Sequence, residues 1–347
     1  EGTTPADEAD EADASREVDR RVLIGGTPRA RTCLLAHPAP GSVSYAPGSR
    51  SPEPAGSTAH GDRLPNVPVA DAPSITDHSM QSPTVTPRLR NELATFLILT
   101  FALSSVFYVI FARAGSLAVG GGWYVRMLMW CPAAGALITR LLFQHDVRGE
   151  GWRLGHPRYA LLAYALPLAY AVVAYAAVWL LGLGGVDPSR FHTNVAYFVV
   201  VGSVLSLTSA LGEELGWRGF LVPKLAEGWS FTTTALVSGA IWAVWHMPLI
   251  IFAGYNGGTT VLYSIVCFVV MVLGISVPLA WIRLRSGSVW PAALFHASHN
   301  LYIQGYFDRV TVDTGITKYL TGEFGAALAV TAAITGFIFW RRRGRLA

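Results

Sequence analysis

Three short motifs in the second half of the chain combine residue types that could carry out acid–base chemistry. They are Gly212-Glu213-Glu214-Leu-Gly-Trp-Arg218, Trp242-Ala-Val-Trp-His246 and His296-Ala-Ser-His299-Asn300. Each motif lies in or beside an apolar run. An ionisable side chain in such a run costs roughly 2.5–3.5 kcal/mol if the run spans a membrane. Three separate polar insertions therefore indicate a functional site.

Helical spacing divides these polar residues into pairs. Glu214 and Arg218 are four residues apart, so on a helix they lie on one face and can form an ion pair. Glu213 is turned by about 100° from Glu214. Glu213 therefore cannot pair with Arg218 as well as Glu214 can, and its carboxylate remains available as a general base. His296 and Asn300 are also four residues apart, and two donors that face one point could stabilise an oxyanion.

This set of groups suits the hydrolysis of an amide by an activated water molecule. The sequence contains neither a Gly-x-Ser-x-Gly elbow nor a His-Glu-x-x-His motif, and it has no phosphate-binding loop. One carboxylate and two imidazoles could also bind zinc, with Glu213, His246 and His296 as the ligands. The residues alone therefore leave open a hydrolase without a cofactor and a zinc-dependent one.

The order and spacing of the three motifs resemble those of the CPBP family of intramembrane glutamic endopeptidases. This family includes the CAAX-prenyl endopeptidases and the bacteriocin-processing, Abi-type proteins. The resemblance covers about residues 93–340. It implies a peptidase with six site residues, which are Glu213, Glu214, Arg218, His246, His296 and Asn300.

The resemblance also implies a role for each group. Glu213 and His246 would activate the water, and the ion pair described above would support them. His296 and Asn300 would form the oxyanion site, in a cavity open to the cytoplasm. CAAX processing requires a prenylated protein, and nothing in the sequence indicates such a partner. The expected substrate is therefore a peptide or a membrane-associated protein.

Two positions differ from the pattern of the family. Its second motif usually begins with Phe, and Trp242 occupies that place here. Because aromatic bulk is kept, we expect altered packing rather than lost activity. His299 lies in the third motif of this chain but is not part of the family's motif.

The composition indicates which elements must position these residues. Of 347 residues, 52% are hydrophobic and 14% are charged, whereas a soluble domain has about 25% charged residues. This excludes an ordinary soluble enzyme and a nucleic-acid binder with a basic surface in solvent. The three cysteines are far apart and indicate neither a disulfide framework nor a zinc cluster. The sequence predicts an all-α, polytopic membrane helical bundle in contact with lipid.

Eight apolar segments approach the length of about 20 residues that a membrane span requires. Six are clear, namely residues 93–112, 123–143, 159–181, 232–253, 260–282 and 325–340. Two more, 195–211 and 289–306, carry or adjoin polar motif residues. We include them because polar groups are tolerated in a bundle when they face one another or a wet cavity.

The distribution of charge supports eight spans and predicts their orientation. Eight spans place both ends of the bundle's chain on one side, where Lys and Arg should collect if that side is cytoplasmic. The loops of one side hold 13 basic residues: Arg88, Arg90, Arg148, Arg153, Arg158, Arg218, Lys224, Arg283, Arg285, Arg341, Arg342, Arg343 and Arg345. The other side holds four: Arg113, Arg190, Arg309 and Lys318. We therefore predict a multi-pass protein of the cell membrane with both termini cytoplasmic.

Residues 1–90 differ in composition from the rest of the chain. They are rich in Pro, Gly, Ala, Ser and Asp without sustained periodicity, which is typical of disorder. The first methionine is Met80, so residues 1–79 are interpreted as an upstream extension with no role in the fold. Residues 91–347 are predicted to form the eight-span protease domain. The sequence does not indicate an oligomeric state.

Two other classes of function remain open at this stage. The same fold could serve as a non-catalytic immunity or partner protein, although the complete set of six polar residues argues against it. A small transporter could use Glu213 and His246 as a proton relay. Transporters often contain internal repeats, and we find none in the sequence.

Overall fold

The computed structural model of the protein describes residues 85–192 and 194–346. Most of the predicted disordered extension, including residues 1–79, lies outside these residues. The first helix begins at Pro87, so the last four residues of the predicted extension are helical. Thr86 caps this helix, since its Oγ1 accepts a hydrogen bond from the Leu89 amide at 3.2 Å. A proline at the first helical position suits such a start, because its missing N–H group has no partner there.

Within residues 85–192 and 194–346, nine α-helices of seven or more residues and two short strands position the site. The helices are α1 (Pro87–Ala114), α2 (Trp123–Phe143), α3 (Pro157–Leu180), α4 (Val195–Glu214), α5 (Val222–Gly228), α6 (Phe231–Phe252), α7 (Val261–Ser286), α8 (Trp290–His299) and α9 (Ala326–Arg341). Two π-helical segments, Leu215–Leu221 and Asn300–Phe307, continue α4 and α8. Shorter turns are Val119–Gly122, Arg148–Glu150, Pro188–Arg190, Asp308–Val310, Thr317–Tyr319 and Arg343–Arg345. Strands β1 (Gly185–Val186) and β2 (Thr311–Val312) pair antiparallel, with Gly185 opposite Val312.

The described residues form an all-α bundle, as the sequence predicts. Six helices are long and apolar enough to cross a membrane, and one of them is the continuous helix Val195–Gly228, which has 34 residues. The other two predicted spans are α9, with 16 residues, and α8 with its π-helical continuation. The fold is therefore that of a multi-pass membrane protein.

The glycines of the first motif allow its helix to lie directly against α2. A Cβ atom on Gly212 would lie 2.7 Å from the carbonyl oxygen of Met129. One on Gly216 would clash with the Cβ of Pro132. Small residues let helix backbones approach closely in membrane bundles. The two glycines on either side of the adjacent glutamates therefore let this part of the helix pack directly against α2.

The bundle has an arginine-rich end, which we define by the start of α1 and the end of α2. There Arg88 Nη2 donates to the carbonyl oxygen of Phe143 at 2.6 Å. Lys224 of α5 lies 2.7 Å from the Glu92 carboxylate of α1, which is itself buried. The opposite end, where β1 pairs with β2, is called the arginine-poor end below.

Candidate active site

The first motif lies where α4 passes into its π-helical continuation. Glu213 and Glu214 are the last residues of α4, and Arg218 lies in the π-helical segment. Arg218 Nη1 is 2.8 Å from Glu214 Oε1, so the ion pair that the spacing predicts is present. Both side chains are buried, with exposed fractions of 1% and 0%. The third motif has a similar arrangement, because Asn300 begins the other π-helical segment, and such segments are frequent at functional sites.

The buried ion pair also connects the three motif helices. Glu214 Oε1 lies 2.9 Å from His296 Nδ1 of α8. The Arg218 guanidinium carbon lies 4.2 Å from the ring centroid of Trp242 in α6, a distance that suits a cation–π contact. Arg218 Nη2 also donates to Ser276 Oγ of α7 at 3.4 Å. Breaking the pair would therefore disturb the packing of all three motifs.

Glu213 has different partners from Glu214. Its Oε2 accepts hydrogen bonds from the indole N–H groups of Trp242, at 2.8 Å, and Trp217, at 3.4 Å. Neither partner carries a charge, whereas Glu214 faces a guanidinium. A phenylalanine at position 242 could not donate the shorter bond. The departure from the family's usual Phe therefore changes the hydrogen bonding of a site carboxylate as well as its packing.

The hydrogen bond of His246 indicates which ring nitrogen carries its proton. Its Nδ1 lies 2.9 Å from the backbone carbonyl oxygen of Trp242. A carbonyl oxygen can only accept, so Nδ1 must donate. In the neutral ring, Nε2 then has a free lone pair. This is the nitrogen that could take a proton from a water molecule.

Four of the six predicted site residues meet around one cavity. The cavity has a volume of about 160 Å³, and Glu213, His246, His296 and Asn300 all line it. Apolar side chains cover much of its wall, including those of Leu128, Leu249, Phe268 and Ile275. Glu214 and Arg218 do not line the cavity and lie buried behind it. The structure thus brings all six together, in two layers.

The metal-binding alternative can be compared with this arrangement. Within the part of the chain that the structure describes, no group of three or more His, Cys, Asp and Glu side chains is placed to hold a metal ion. Glu213, His246 and His296 therefore line a common cavity without forming such a group.

The sequence analysis missed a second polar network on the same cavity wall. Glu323 Oε1 accepts from His299 Nε2 at 3.0 Å, and its Oε2 accepts from the hydroxyl of Tyr255. The hydroxyl of Tyr170 bonds to the other ring nitrogen of His299. Burial raises the pKa of Glu323, but the hydrogen bonds from His299, Tyr255 and Gln304 and the charge of His299 together lower it to about 2.

The sequence contains one signal that could have drawn attention to this network. Glu323 is the only acidic residue after Asp313, and it stands in the segment Thr-Gly-Glu-Phe-Gly just before an apolar helix. It lies in a loop, so no helical periodicity relates it to the motif residues. Its contact with His299 depends on the path of the chain between α8 and α9.

Comparisons with known proteins concern the segment that carries the site. Residues 194–302, which contain all three motifs, match the model of the family described as "Type II CAAX prenyl endopeptidase Rce1-like". A "CAAX prenyl protease 2" of Methanococcus maripaludis is 30% identical over 134 residues. That match covers 38% of this chain, which spans just under half (47%) of the relative's length. Both findings support a peptidase embedded in a membrane. In the segment that carries its three polar motifs, the chain is similar to the CAAX prenyl endopeptidases, which supports the CPBP/CAAX protease family.

Proposed function

We propose that the protein is an intramembrane endopeptidase that cleaves a peptide or a membrane-associated protein. The observation that carries this proposal is the convergence of Glu213, His246, His296 and Asn300 on one largely apolar cavity. A base, a second proton acceptor and two potential oxyanion donors are the groups that amide hydrolysis by water requires. The name of the relative refers to prenylated substrates of that protein. For this chain we propose only the broader class, within which processing of a bacteriocin is one case.

Hydrolysis would begin with the removal of a proton from water. Oε2 of Glu213 accepts from two indoles, so we assign Oε1 as the atom that takes the proton. The Nε2 of His246 is the second acceptor. The hydroxide oxygen adds to the carbonyl carbon of the scissile amide. The C–N bond then breaks, and the proton passes to the leaving amine.

The negative charge that develops on the carbonyl oxygen needs hydrogen-bond donors. Asn300 offers its side-chain amide from the cavity wall. His296 donates from Nδ1 to the Glu214 carboxylate. In the doubly protonated ring, the Nε2–H group would be the second donor. Loss of one donor of this kind typically lowers kcat by about 100- to 1,000-fold.

A cleavage assay in detergent with a panel of candidate peptides tests the proposal. The wild-type protein should release products, and Glu213→Ala should not. Glu92→Gln is a suitable control, because Glu92 is a buried carboxylate that does not line the cavity and is paired with Lys224 at 2.7 Å. Cleavage by Glu213→Ala at the wild-type rate would exclude this mechanism. Absence of cleavage of every peptide by the wild type would favour a non-catalytic partner protein.

A further inference from the structure

The cavity of the candidate active site extends from the middle of the bundle toward one end. Most of its lining residues come from the first turns of α2, the second half of α6 and the first half and middle of α7, within residues 125–129, 242–249 and 268–275. In these antiparallel helices, all three stretches lie toward the arginine-poor end. The other lining residues on helices are Glu213 on α4, and His296, His299, Asn300 and Gln304 on α8 and its π-helical continuation. Three more lining residues belong to the loops of that end, namely Leu117, Tyr255 and Glu323. No lining residue comes from the described loops of the arginine-rich end.

A second cavity leads from the first toward the loops of the same end. It has a volume of about 380 Å³ and shares Tyr255, Gln304 and Glu323 with the first cavity. The rest of its lining comes from residues 254–257 and 308–324, which connect α6 to α7 and the second π-helical segment to α9. The path from the site to solvent therefore leaves the bundle at the arginine-poor end.

The structure also refines the count of charges at the two ends. Arg218 and Arg283 are buried, so they do not contribute exposed charge. Ten exposed arginines of the described residues remain at the arginine-rich end: Arg88, Arg90, Arg148, Arg153, Arg158, Arg285, Arg341, Arg342, Arg343 and Arg345. Four lie at or near the other end: Arg113, Arg126, Arg190 and Arg309. Since basic residues near span ends are retained in the cytoplasm, the arginine-rich end should be the cytoplasmic one.

We propose that the active-site cavity opens to the non-cytoplasmic side of the membrane and takes its peptide substrate from that side. The inference rests on the function proposed above. It narrows the substrate class to exported peptides and to the outward-facing segments of membrane-anchored proteins.

The sequence raises two expectations about the orientation of the bundle, and they conflict. The charge pattern predicts cytoplasmic termini, and the family resemblance implies a cavity open to the cytoplasm. The cavity and the ends of the described chain lie at opposite ends of the bundle, so the two expectations exclude each other. The charge pattern belongs to this chain itself, and ten exposed arginines against four is a large asymmetry. We therefore keep the prediction that the termini are cytoplasmic and infer that the cavity opens to the opposite, non-cytoplasmic side.

Cysteine labelling of the full-length chain tests the side of the opening without any measurement of activity. In a background with Cys33→Ser, Cys131→Ala and Cys267→Ala, one cysteine is introduced at Gln304, which lines both cavities. Matched controls are Ser116→Cys at the arginine-poor end and Leu154→Cys, 74% exposed, at the arginine-rich end. A maleimide that cannot cross the membrane is applied to intact cells. It is then applied to permeabilised cells.

We expect Gln304→Cys and Ser116→Cys to react in intact cells, and Leu154→Cys to react only after permeabilisation. Reaction of Leu154→Cys alone in intact cells would overturn the proposal. Protection of Gln304→Cys in intact cells that label Ser116→Cys would overturn it as well. Reporter fusions at Arg148 and Lys318 of the otherwise unchanged chain give an independent reading. They should report the cytoplasmic and the non-cytoplasmic side, respectively, and the reverse result would contradict the inference.

An activity measurement separates this inference from the proposed function. A cleavable peptide that cannot cross the membrane is added to sealed right-side-out vesicles and to inverted vesicles. Cleavage by the right-side-out vesicles alone is expected, and cleavage by inverted vesicles alone would overturn the inference. Absence of cleavage even after detergent solubilisation would contradict the proposed function, while the labelling would still decide the side of the opening.

Discussion

The adjacent carboxylates Glu213 and Glu214 should respond differently to the same substitution. Glu214 lies 2.8 Å from Arg218, and both side chains are fully buried. Glu214→Gln would leave the guanidinium without its counter-charge, and breaking a buried pair in this way typically costs about 3–5 kcal/mol. Arg218→Ala would strand the carboxylate instead, but His296 Nδ1 at 2.9 Å could still compensate it. We therefore expect Arg218→Ala near the lower end of that range.

Glu213→Gln should leave the free energy of unfolding almost unchanged. The two bonds that Glu213 accepts come from the indoles of Trp242 and Trp217, and an amide oxygen can accept both. A net change of about 1 kcal/mol or less is expected for neutral hydrogen bonds of this kind. The glutamine cannot take a proton from water, so hydrolysis should be abolished. Glu213→Gln should thus lower activity without lowering stability, whereas Glu214→Gln should lower both.

The double change Glu214→Gln with Arg218→Ala should cost less than the sum of the single changes. No lone charge remains in the double variant, and residues in direct contact are not expected to be additive. Thermal unfolding in detergent, measured beside the turnover of a cleavable peptide, provides both quantities. Glu92→Gln serves as the control, because it should lower stability without lowering turnover per folded molecule. Equal losses of stability in Glu213→Gln and Glu214→Gln would refute the division of roles.

Three further predictions concern the extension, the metal and the second polar network. A chain that starts at Met80 should insert into membranes and keep its activity, because the sequence predicts no role in the fold for residues 1–79; failed insertion would show that they matter. Peptide cleavage should survive exhaustive chelation, and its loss with rescue by zinc would favour the metal-dependent alternative. The pKa of Glu323 lies below its ordinary value of 4.5, at about 2, so its stabilising contribution is present above pH 4.5 and is lost as the pH falls toward 2. Unfolding curves between pH 7 and 3 should show a larger loss for the wild type than for Glu323→Gln, and parallel losses would contradict the network's role.

Features that depend on local spacing could be predicted from the sequence. The bundle of apolar helices follows from the length of the runs, and the ion pair of Glu214 with Arg218 follows from an interval of four residues. The approach of the three motifs around one cavity was implied by resemblance, not by spacing, because no periodicity relates residues on different helices. The structure supplies that relation through the contact of His296 with Glu214.

Features that depend on the path of the loops could not be predicted. Glu323 reaches His299 across 24 positions of sequence, and Tyr255 reaches Glu323 across 68. Neither interval places the two residues on one face of the same helix. The two π-helical segments were also missed, since an apolar run does not distinguish hydrogen bonding to the fourth residue from bonding to the fifth. Both begin directly at motif residues, so the departures from regular helix coincide with the candidate site.

Trp242 shows how one sequence difference can alter the chemistry of a shared site. From the sequence, its aromatic bulk suggested a change of packing alone. In the structure its indole N–H donates to Glu213 Oε2 at 2.8 Å, while its ring faces the Arg218 guanidinium at 4.2 Å. The same side chain therefore bonds one carboxylate oxygen of Glu213 and contacts the guanidinium that pairs with Glu214. Because Oε2 accepts this bond, the proposed mechanism assigns proton transfer to Oε1, and we expect the orientation of the Glu213 carboxylate to depend on this tryptophan.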